Sequence, residues 1–450
     1  MANSEIIDLD PVELRQRDLV LAQRAFHRLS PAEQLRYTLR LPPAERWLAC
    51  ELALDLPALV HAMPPQDLWL TIRAVGQSEG VALLAAATPE QTQFCLDVEC
   101  WQRDDWMPTV TAAWLAMMVA AGEAKMVEFF TALDQDWVGL LLKRWLVVYR
   151  RVGDEDPADA IPWPREESPF TLDGAYFFQI ADERLDPVLR PLLECGARHD
   201  LAMFYSLLDA LCGLLSSEQE ELAYQARTRR LEECGFPEWQ EAIGVYRRLT
   251  REQFERLPKR VMAAAEREHA TVSGQVALAA TGAARPRLLH EALATLEDAA
   301  LHDACLVELA RLANRMLVAD RHAITPETLA AAVAKAGAYV NLGLECASEG
   351  ALPQAARLLV ERPLVQCLQL GFSLVLELRD RVRAALRDRP LPEINDDPTT
   401  AAALVTERLR AAAWEWPKFY LGPQTPDGAL HREFQTRDEL GLVETALLSY

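Results

Sequence analysis

Four prolines at short intervals constrain the first hundred residues more than any other feature. Each follows an apolar residue and then Ser, Thr or Pro, and an acid or amide comes soon after: "LSPAEQ" at 29–34, "LPPAER" at 41–46, "MPPQDL" at 63–68 and "ATPEQT" at 87–92. Proline suits the first position of a helix, where its missing N–H has no partner to lose. Each of these four prolines, at 31, 43, 65 and 89, therefore predicts a helix start.

Two of these starts carry a second signal. Ser30 with Glu33, and Thr88 with Gln91, have capping-box spacing, in which each side chain satisfies a backbone N–H near the other residue. The spacing of the prolines leaves room for helices of only two to three turns. Such helices cannot bury their own apolar faces alone. Residues 1–150 are therefore predicted to form a short-helix superhelical repeat domain, in which neighbours stack.

Residues 28–110 resemble the superhelical N-terminal domain of MgtE-type magnesium transporters. That domain is also acidic and is also built from short helices that open with L-x-P-E-x. In the transporter family it is tied to a transport pore. This sequence contains no pore segment, so the resemblance implies a fold and does not imply transport.

Composition excludes several classes of function. The chain has 450 residues, half of them hydrophobic, with a formal net charge of −21 and a pI near 4.9. Such acidity argues against nucleic acid as a partner, since phosphate binding needs a basic surface. It is compatible with a basic partner or with cations. The longest apolar run, 110–121, is too short for a membrane span, which needs about 20 residues, and instead predicts a buried helix.

Cysteine usage indicates the compartment. The nine cysteines include no C-x-x-C pair, and an odd number in a long chain argues against a disulfide framework. We expect reduced, mostly buried thiols and a cytoplasmic location.

Breaks in the helical pattern divide the chain further. Residues 151–169 are acidic and contain Pro157, Pro162, Pro164 and Pro169, which predicts a linker. Residues 170–180, "FTLDGAYFFQI", favour either a small β-hairpin turning at Asp173-Gly174 or an extended loop that packs its aromatic side chains on a helix. A larger helical domain is predicted over 170–388, and a loop with C-terminal docking helices over 389–450.

Residues 341–359, "NLGLECASEGALPQAARLL", resemble one tetratricopeptide hairpin. In this comparison Gly343 and Ala355 allow two helices to approach, and Gly350 begins the turn between them. A separate pattern at 324–337 predicts a helix capped by Thr325 and ended by Gly337.

Four stretches together resemble one bacterial family. They are "TLDGAYF" at 171–177, "NLGLE" at 341–345, "GFSLVLELRDR" at 371–381 and "HREFQTRDEL" at 431–440. The family is the one catalogued as domain of unknown function 6178. The resemblance implies no activity, because none is assigned to that family.

Residues 95–108, "CLDVECWQRDDWMP", concentrate cysteines, carboxylates and tryptophans. Cys95, Val98 and Trp101 fall on one face if the helix continues, and Asp104 or Asp105 would cap the next helix, so core packing with caps is the favoured interpretation. One alternative is a cation site built from Asp97, Asp104 and Asp105. The other is a partner-binding patch built from Trp101 and Trp106.

Two further stretches are candidates for binding. "WEWPKFY" at 414–420 contains Trp414 and Trp416, which either dock a last helix on the body or bind a partner. The basic stretches 226–230 and 246–260 are typical of solvated helices with internal ion pairs, or form a site for an acidic partner.

No catalytic, cofactor-binding or metal-ligating pattern is found, since the sequence lacks G-x-G-x-x-G, P-loop, H-E-x-x-H and G-x-S-x-G motifs. The sequence therefore predicts an all-α cytosolic scaffold that binds an unidentified protein in a groove between stacked helices. The alternative is an enzyme or a divalent-cation sensor whose carboxylates converge from distant helices.

Overall fold

A computed structural model shows a mostly all-α chain, as predicted. It describes residues 12, 15, 18–102, 105–151, 153, 155–213, 216–260, 286–392, 400–423 and 430–450, with the backbone alone at 212, 213 and 216–219. Contacts divide the chain into two compact units, Met1–Cys234 and Gly235–Tyr450. The predicted linker at 151–169 lies inside the first unit and does not separate the two.

The first unit consists mainly of short helices. Its α-helices are Leu19–His27, Pro31–Arg40, Arg46–Cys50, Leu56–Ala62, Pro65–Val75, Gln77–Ala86, Pro89–Glu99, Pro108–Ala121, Glu123–Thr131, Gln135–Trp145, Pro157–Ala160, Asp186–His199, Leu201–Gly213 and Ser216–Glu233, with 3₁₀ turns at Pro43–Glu45 and Glu183–Leu185. All four predicted proline starts are confirmed, the one at 43 as a 3₁₀ turn. Both capping boxes form. From residue 31 to 145, each helix packs on the next helix or on the next but one.

Glutamines near helix N-termini donate to carbonyls at or just beyond the ends of other helices. A helix leaves its last four carbonyls without an internal partner, and a short helix has few others. The amide groups donate as follows: Gln34 to the carbonyls of Phe26 and Leu29 (3.2 and 3.1 Å), Gln91 to those of Val60 and Met63 (both 2.7 Å), and Gln135 to those of Phe130 and Leu133 (both 2.9 Å). Each glutamine thereby fixes one helix against the end of another.

Two buried cations have the same role. The guanidinium of Arg46 is fully buried and donates to the carbonyls of Leu39 and Leu41 at the end of one helix, and to the backbone and carboxylate of Asp67 in another. The ammonium of Lys125 donates to the carbonyl of Ala87 at 2.6 Å, where helix Gln77–Ala86 has just ended.

The predicted hairpin at 170–180 is present, and it carries a third strand that the sequence analysis missed. Strand Tyr176–Ile180 pairs antiparallel with Phe170–Thr171 on one side and with Leu146–Arg150 on the other. Residues 151–169 therefore connect two strands of one sheet. The missed strand follows helix Gln135–Trp145 without any glycine or proline between them, so its apolar residues continue the helical pattern in the sequence.

The second unit has longer helices. Its α-helices are Trp239–Ala242, Arg251–Arg256, Arg287–Ala294, Ala299–Ala319, Pro326–Ser348, Leu352–Glu361, Leu364–Asp388, Ala401–Ala412 and Arg437–Ser449, with a 3₁₀ turn at Ile243–Tyr246 and paired strands Phe419–Tyr420 and His431–Arg432. The predicted C-terminal loops lie partly at 393–399 and 424–429, outside the described residues.

The tetratricopeptide-like hairpin exists as two helices, Pro326–Ser348 and Leu352–Glu361. The turn between them uses left-handed backbone at Glu349 and Gly350, with φ of 54° and 78°. Thr325 caps the first helix as predicted. The prediction that Gly337 ends it is wrong: the helix continues for eleven further residues, and Gly337 lies where the helix packs near Leu289.

Gly343 and Gly371 mark the closest approach of two helices in the second unit. A Cβ at Gly343 would lie 1.9 Å from the carbonyl oxygen of Cys367, and a Cβ at Gly371 would lie 2.1 Å from that of Tyr339. Gly343 was expected to face its hairpin partner. It instead faces Leu364–Asp388, so the two long helices of the unit touch backbone to backbone.

We expect Gly343→Ala to destabilise the second unit by about 3 kcal/mol or more, because a methyl group at this crossing forces the helix backbones apart. Urea denaturation of the full chain, followed by circular dichroism, measures the change. The matched control is Gly441→Ala, since Gly441 is inside helix Arg437–Ser449 with no atom within 4 Å of the added Cβ. It should change stability by at most about 1 kcal/mol, in the stabilising direction. Equal effects of the two substitutions would contradict the assigned crossing.

We expect Gln91→Leu to destabilise the first unit by about 2 kcal/mol, because it removes the hydrogen bonds of Gln91 to the carbonyl of Met63 and the N–H of Thr88, and one of the two hydrogen bonds to the carbonyl of Val60. Gln77→Leu is the control, because Gln77 is exposed and begins its helix, and its effect should stay within about 0.5 kcal/mol. A Gln91 variant as stable as the control would show that the carbonyls find other partners at no cost.

Candidate functional site

Trp101 and Trp106 face each other across a two-strand hairpin and are both buried. Trp101–Gln102 pairs with Asp105–Trp106, and the rings pack on Tyr224 and Trp145 respectively. The prediction that Trp101 continues the helix face of Cys95 is wrong. Helix Pro89–Glu99 ends first, and the hairpin brings the chain back so that the N–H of Met107 reaches the carbonyl of Cys100 at 2.8 Å.

Asp97 lies in a buried ion pair. Arg230 donates to both of its carboxylate oxygens, at 2.7 and 2.9 Å, and Arg227 donates to its backbone carbonyl at 2.7 Å. The basic stretch 226–230 therefore points two arginines inward. Asp105 is exposed and does not cap the next helix, and Asp104 lies outside the described residues. These contacts give Asp97 a structural role in holding helix Ser216–Glu233.

Trp414 and Trp416 lie after the end of helix Ala401–Ala412 and are exposed by 41% and 44%. Phe419 and Tyr420, in the same stretch, are buried. The stretch therefore combines both alternatives: its second half docks on the unit, and its two tryptophans remain on the surface.

Under Trp416, three polar groups form a closed triangle. The hydroxyl of Tyr246 donates to Asp320 at 2.6 Å, and the ammonium of Lys335 donates to that hydroxyl and to the other oxygen of Asp320, both at 2.7 Å. The ammonium also lies 4.9 and 5.0 Å from the ring centres of Tyr246 and Trp416, within the range of a cation–π contact. The ring of Phe372 stacks on Trp416 at 6.0 Å.

Burial shifts the titration of this cluster. It lowers the pKa of Lys335, an effect that the neighbouring Asp320 carboxylate opposes. Burial, the charge of Asp320 and the hydrogen bond to it raise the pKa of Tyr246 far above its usual value, and burial raises the pKa of Tyr339 as well. The cation–π contact with Lys335 and the ring contacts with Tyr246 and Phe372 hold Trp416 in place at the surface.

A groove of about 810 Å³ opens among four helices of the second unit: Arg287–Ala294, Pro326–Ser348, Leu364–Asp388 and Arg437–Ser449. Its carboxylates are Glu291, Glu345, Glu349, Asp438 and Glu444. Arg287 and Arg437 are its cations, and Leu288, Leu374 and Leu440 add apolar surface. The lining is therefore acidic with apolar patches.

The floor of the groove is held by Asn341 and Glu345. Asn341 is fully buried; its oxygen accepts from the N–H of Leu289, and its amide donates to Glu345 and to the carbonyl of Gln435. Glu345 also accepts from the N–H of Arg437 at 2.7 Å, at the start of the last helix. Burial raises the pKa of Glu345, and these two hydrogen bonds oppose the shift.

Sequence reasoning did not find this groove, yet three of the quoted stretches meet there. "NLGLE" supplies Asn341 and Glu345, "GFSLVLELRDR" supplies Leu374, and "HREFQTRDEL" supplies Arg437 and other lining residues. The sequence singled out these stretches only through their resemblance to a family. Its meaning needed the helix crossing that brings the stretches together.

Other kinds of site are not seen in the part of the chain that the structure describes. No group of three or more His, Cys, Asp or Glu residues there is arranged to hold a metal ion. Among the same residues, no helix is long and apolar enough to cross a membrane. Seven of the described cysteines are buried free thiols, and burial raises their pKa values, for example to about 12 at Cys50 and Cys367.

These features define a mostly all-α protein with two compact helical units, one of which carries an acidic groove. A family model described as a family of unknown function, DUF6178, matches residues 23–449, and the chain belongs to that family. The resemblance of the four quoted stretches to this family is thereby confirmed. Comparison with curated proteins and with solved structures finds no match.

We expect Tyr246 to stay protonated in the folded protein up to at least pH 11, because its folded-state pKa is raised above the usual value near 10. Since the unfolded chain loses this proton first, the associated stability is lost as the pH rises above about 10. Absorbance titration at 295 nm tests this: Tyr246→Phe should leave the native curve unchanged to pH 11 and should remove one tyrosine from the curve in urea. A missing tyrosine in the native curve would contradict the buried triangle.

Proposed function

We propose that this protein is a cytoplasmic scaffold that binds a basic segment of a partner protein in the groove of the second unit. The observation that carries this proposal is the lining of the groove, which contains five carboxylates and two arginines. Glu291, Glu349 and Glu444 pair with Arg287, Arg251 and Arg381, whereas Glu345 and Asp438 form no ion pair among the described residues. Charge complementarity of this kind raises the rate and the specificity of association. Unpaired thiols support the cytoplasmic location.

Size and composition favour a peptide segment as the occupant. A volume of about 810 Å³ falls in the range of sites that enclose a ligand of several residues or a small molecule. The apolar side chains Leu288, Leu374 and Leu440 supply burial between the charges. Packed helices commonly recognise partner segments in such grooves.

We expect a photo-crosslinking amino acid in place of Arg287 to capture one discrete partner in cells that naturally make this protein. The same amino acid in place of Arg184 is a matched control, because the two side chains are 87% and 88% exposed and Arg184 is in the other unit. Combining the Arg287 crosslinker with Asp438→Lys and Glu349→Lys should lower the yield about tenfold, as expected for a loss of about 1.4 kcal/mol of binding. Glu252→Lys, at an exposed site outside the groove, should leave it unchanged.

Two results would contradict the scaffold. One is a crosslinking result: the same proteins are captured from both positions, or the crosslinking yield does not fall when the charges are reversed. The other is a melting temperature of the full chain that rises with the concentration of a divalent cation or a nucleotide, since a ligand that binds the folded state must stabilise it. That outcome would favour the enzyme or the cation sensor.

A further inference from the structure

Four exposed apolar side chains of the second unit form a surface that we name the aromatic patch: Trp239, Ile243, Trp414 and Trp416. Their exposed fractions are 38%, 45%, 41% and 44%. The patch shares no residue with the groove, so it is a second surface.

Trp239 and Ile243 are linked to Trp416 through residues 319–320 and Tyr246. The indole N–H of Trp239 donates to the carbonyl of Ala319 at 3.2 Å, and Tyr246 donates to the next residue, Asp320. Ile243 and Tyr246 are three residues apart in one 3₁₀ turn, where side chains with that spacing align. The ring of Tyr246 then contacts Trp416 at 4.9 Å.

Three arginines accompany the patch. The guanidinium of Arg321 lies 4.2 Å from the ring centre of Trp239, Arg247 directly follows Tyr246 and is exposed, and Arg383 donates to the carbonyl of Ala413 beside Trp414 at 2.7 Å. Within the residues that the structure describes, none of the three forms an ion pair with a carboxylate.

The other cations of the basic stretch 246–260 form ion pairs with carboxylates. The ion pairs there are Arg248 with Asp380, Arg251 with Glu255 and Glu349, Arg256 with Glu252, Lys259 with Glu361, and Arg260 with Glu308. Arg247, Arg321 and Arg383 thus differ from these neighbouring cations in having no carboxylate partner among the described residues. The exposed residues Glu238 and Glu415 are sequence neighbours of the patch tryptophans, so three arginines stand against two carboxylates on this surface of a chain whose net charge is −21.

We propose that the aromatic patch binds an acidic segment of another protein, one that carries apolar side chains between its carboxylates. Tryptophan and arginine are the residue types that contribute most to binding energy at interfaces. Exposed rings accept apolar side chains, and the three arginines supply the charge that carboxylates need. Because the Debye length is about 8 Å in physiological salt, these nearby arginines act on the segment more strongly than the distant negative charge of the chain. This surface is independent of the groove and of its basic partner.

The probe is a fluorescein-labelled peptide of about 16 residues that repeats Asp-Glu-Phe-Leu, titrated with the full chain and followed by fluorescence anisotropy. We expect a Kd of roughly 10 µM. Combining Arg247→Glu, Arg321→Glu and Arg383→Glu should weaken binding by about tenfold or more. Arg256→Glu, an exposed arginine of the same unit, should change the Kd by less than about twofold.

Two further variants separate the contributions. Trp239→Ala keeps all three arginines and should weaken binding of the same peptide by about fivefold or more, with circular dichroism and thermal unfolding showing that each variant stays folded. Replacing Phe and Leu of the peptide by Gly and Ser should cause a similar loss. Asp438→Lys with Glu349→Lys, in the groove, should leave binding intact.

The proposal is overturned if the acidic peptide does not bind at concentrations near 1 mM, or if a Lys-Arg-Phe-Leu peptide binds equally well. It is also overturned if the groove variant abolishes binding, since the peptide would then occupy the groove. Sedimentation of the protein alone gives the remaining outcome. Self-association that the triple arginine variant removes would assign the patch to a second copy of this chain and overturn the proposal of a separate partner.

Discussion

The first unit depends on how the carbonyls at helix ends find hydrogen-bond partners. Short helices leave a large fraction of their backbone carbonyls without an internal partner, and an unpaired buried carbonyl destabilises the fold by about 1–3 kcal/mol. Gln34, Gln91 and Gln135 each donate to two carbonyls at or just beyond the end of another helix. The buried cations Arg46 and Lys125 bind others. Helices that are too short to be stable alone are thereby joined in series, and polar side chains lie inside the unit.

The second unit is organised around a close helix crossing. The absence of side chains at Gly343 and Gly371 lets helices Pro326–Ser348 and Leu364–Asp388 touch backbone to backbone. Other side chains of these helices then occupy defined places on the two sides of the contact. Tyr339, Lys335 and Phe372 lie under the aromatic patch, and Glu345 and Leu374 line the groove. Both proposed binding surfaces are thus supported by one crossing.

Signals that act over a few residues were readable in the sequence, and contacts between distant residues were not. Ser30, Thr88 and Thr325 cap their helices through partners three residues away. Asp97, by contrast, takes its structural role from Arg230, which is 133 residues further along, and no local pattern contains that pairing. The same limit explains why the groove was missed. Strand Leu146–Arg150 was missed because it follows helix Gln135–Trp145 without a break, so that its strand-favouring Val and Tyr residues are read as part of the helical pattern.

The buried amide of Asn341 joins three segments that are far apart in the chain: Leu289 is 52 residues earlier and Gln435 is 94 residues later. During translation, the first two segments leave the ribosome long before the third. Until residues 435–437 have emerged, one side of the groove does not exist and Asn341 lacks one of its partners. A polypeptide that stops before residue 435 therefore lacks one side of the groove and one hydrogen-bond partner of Asn341.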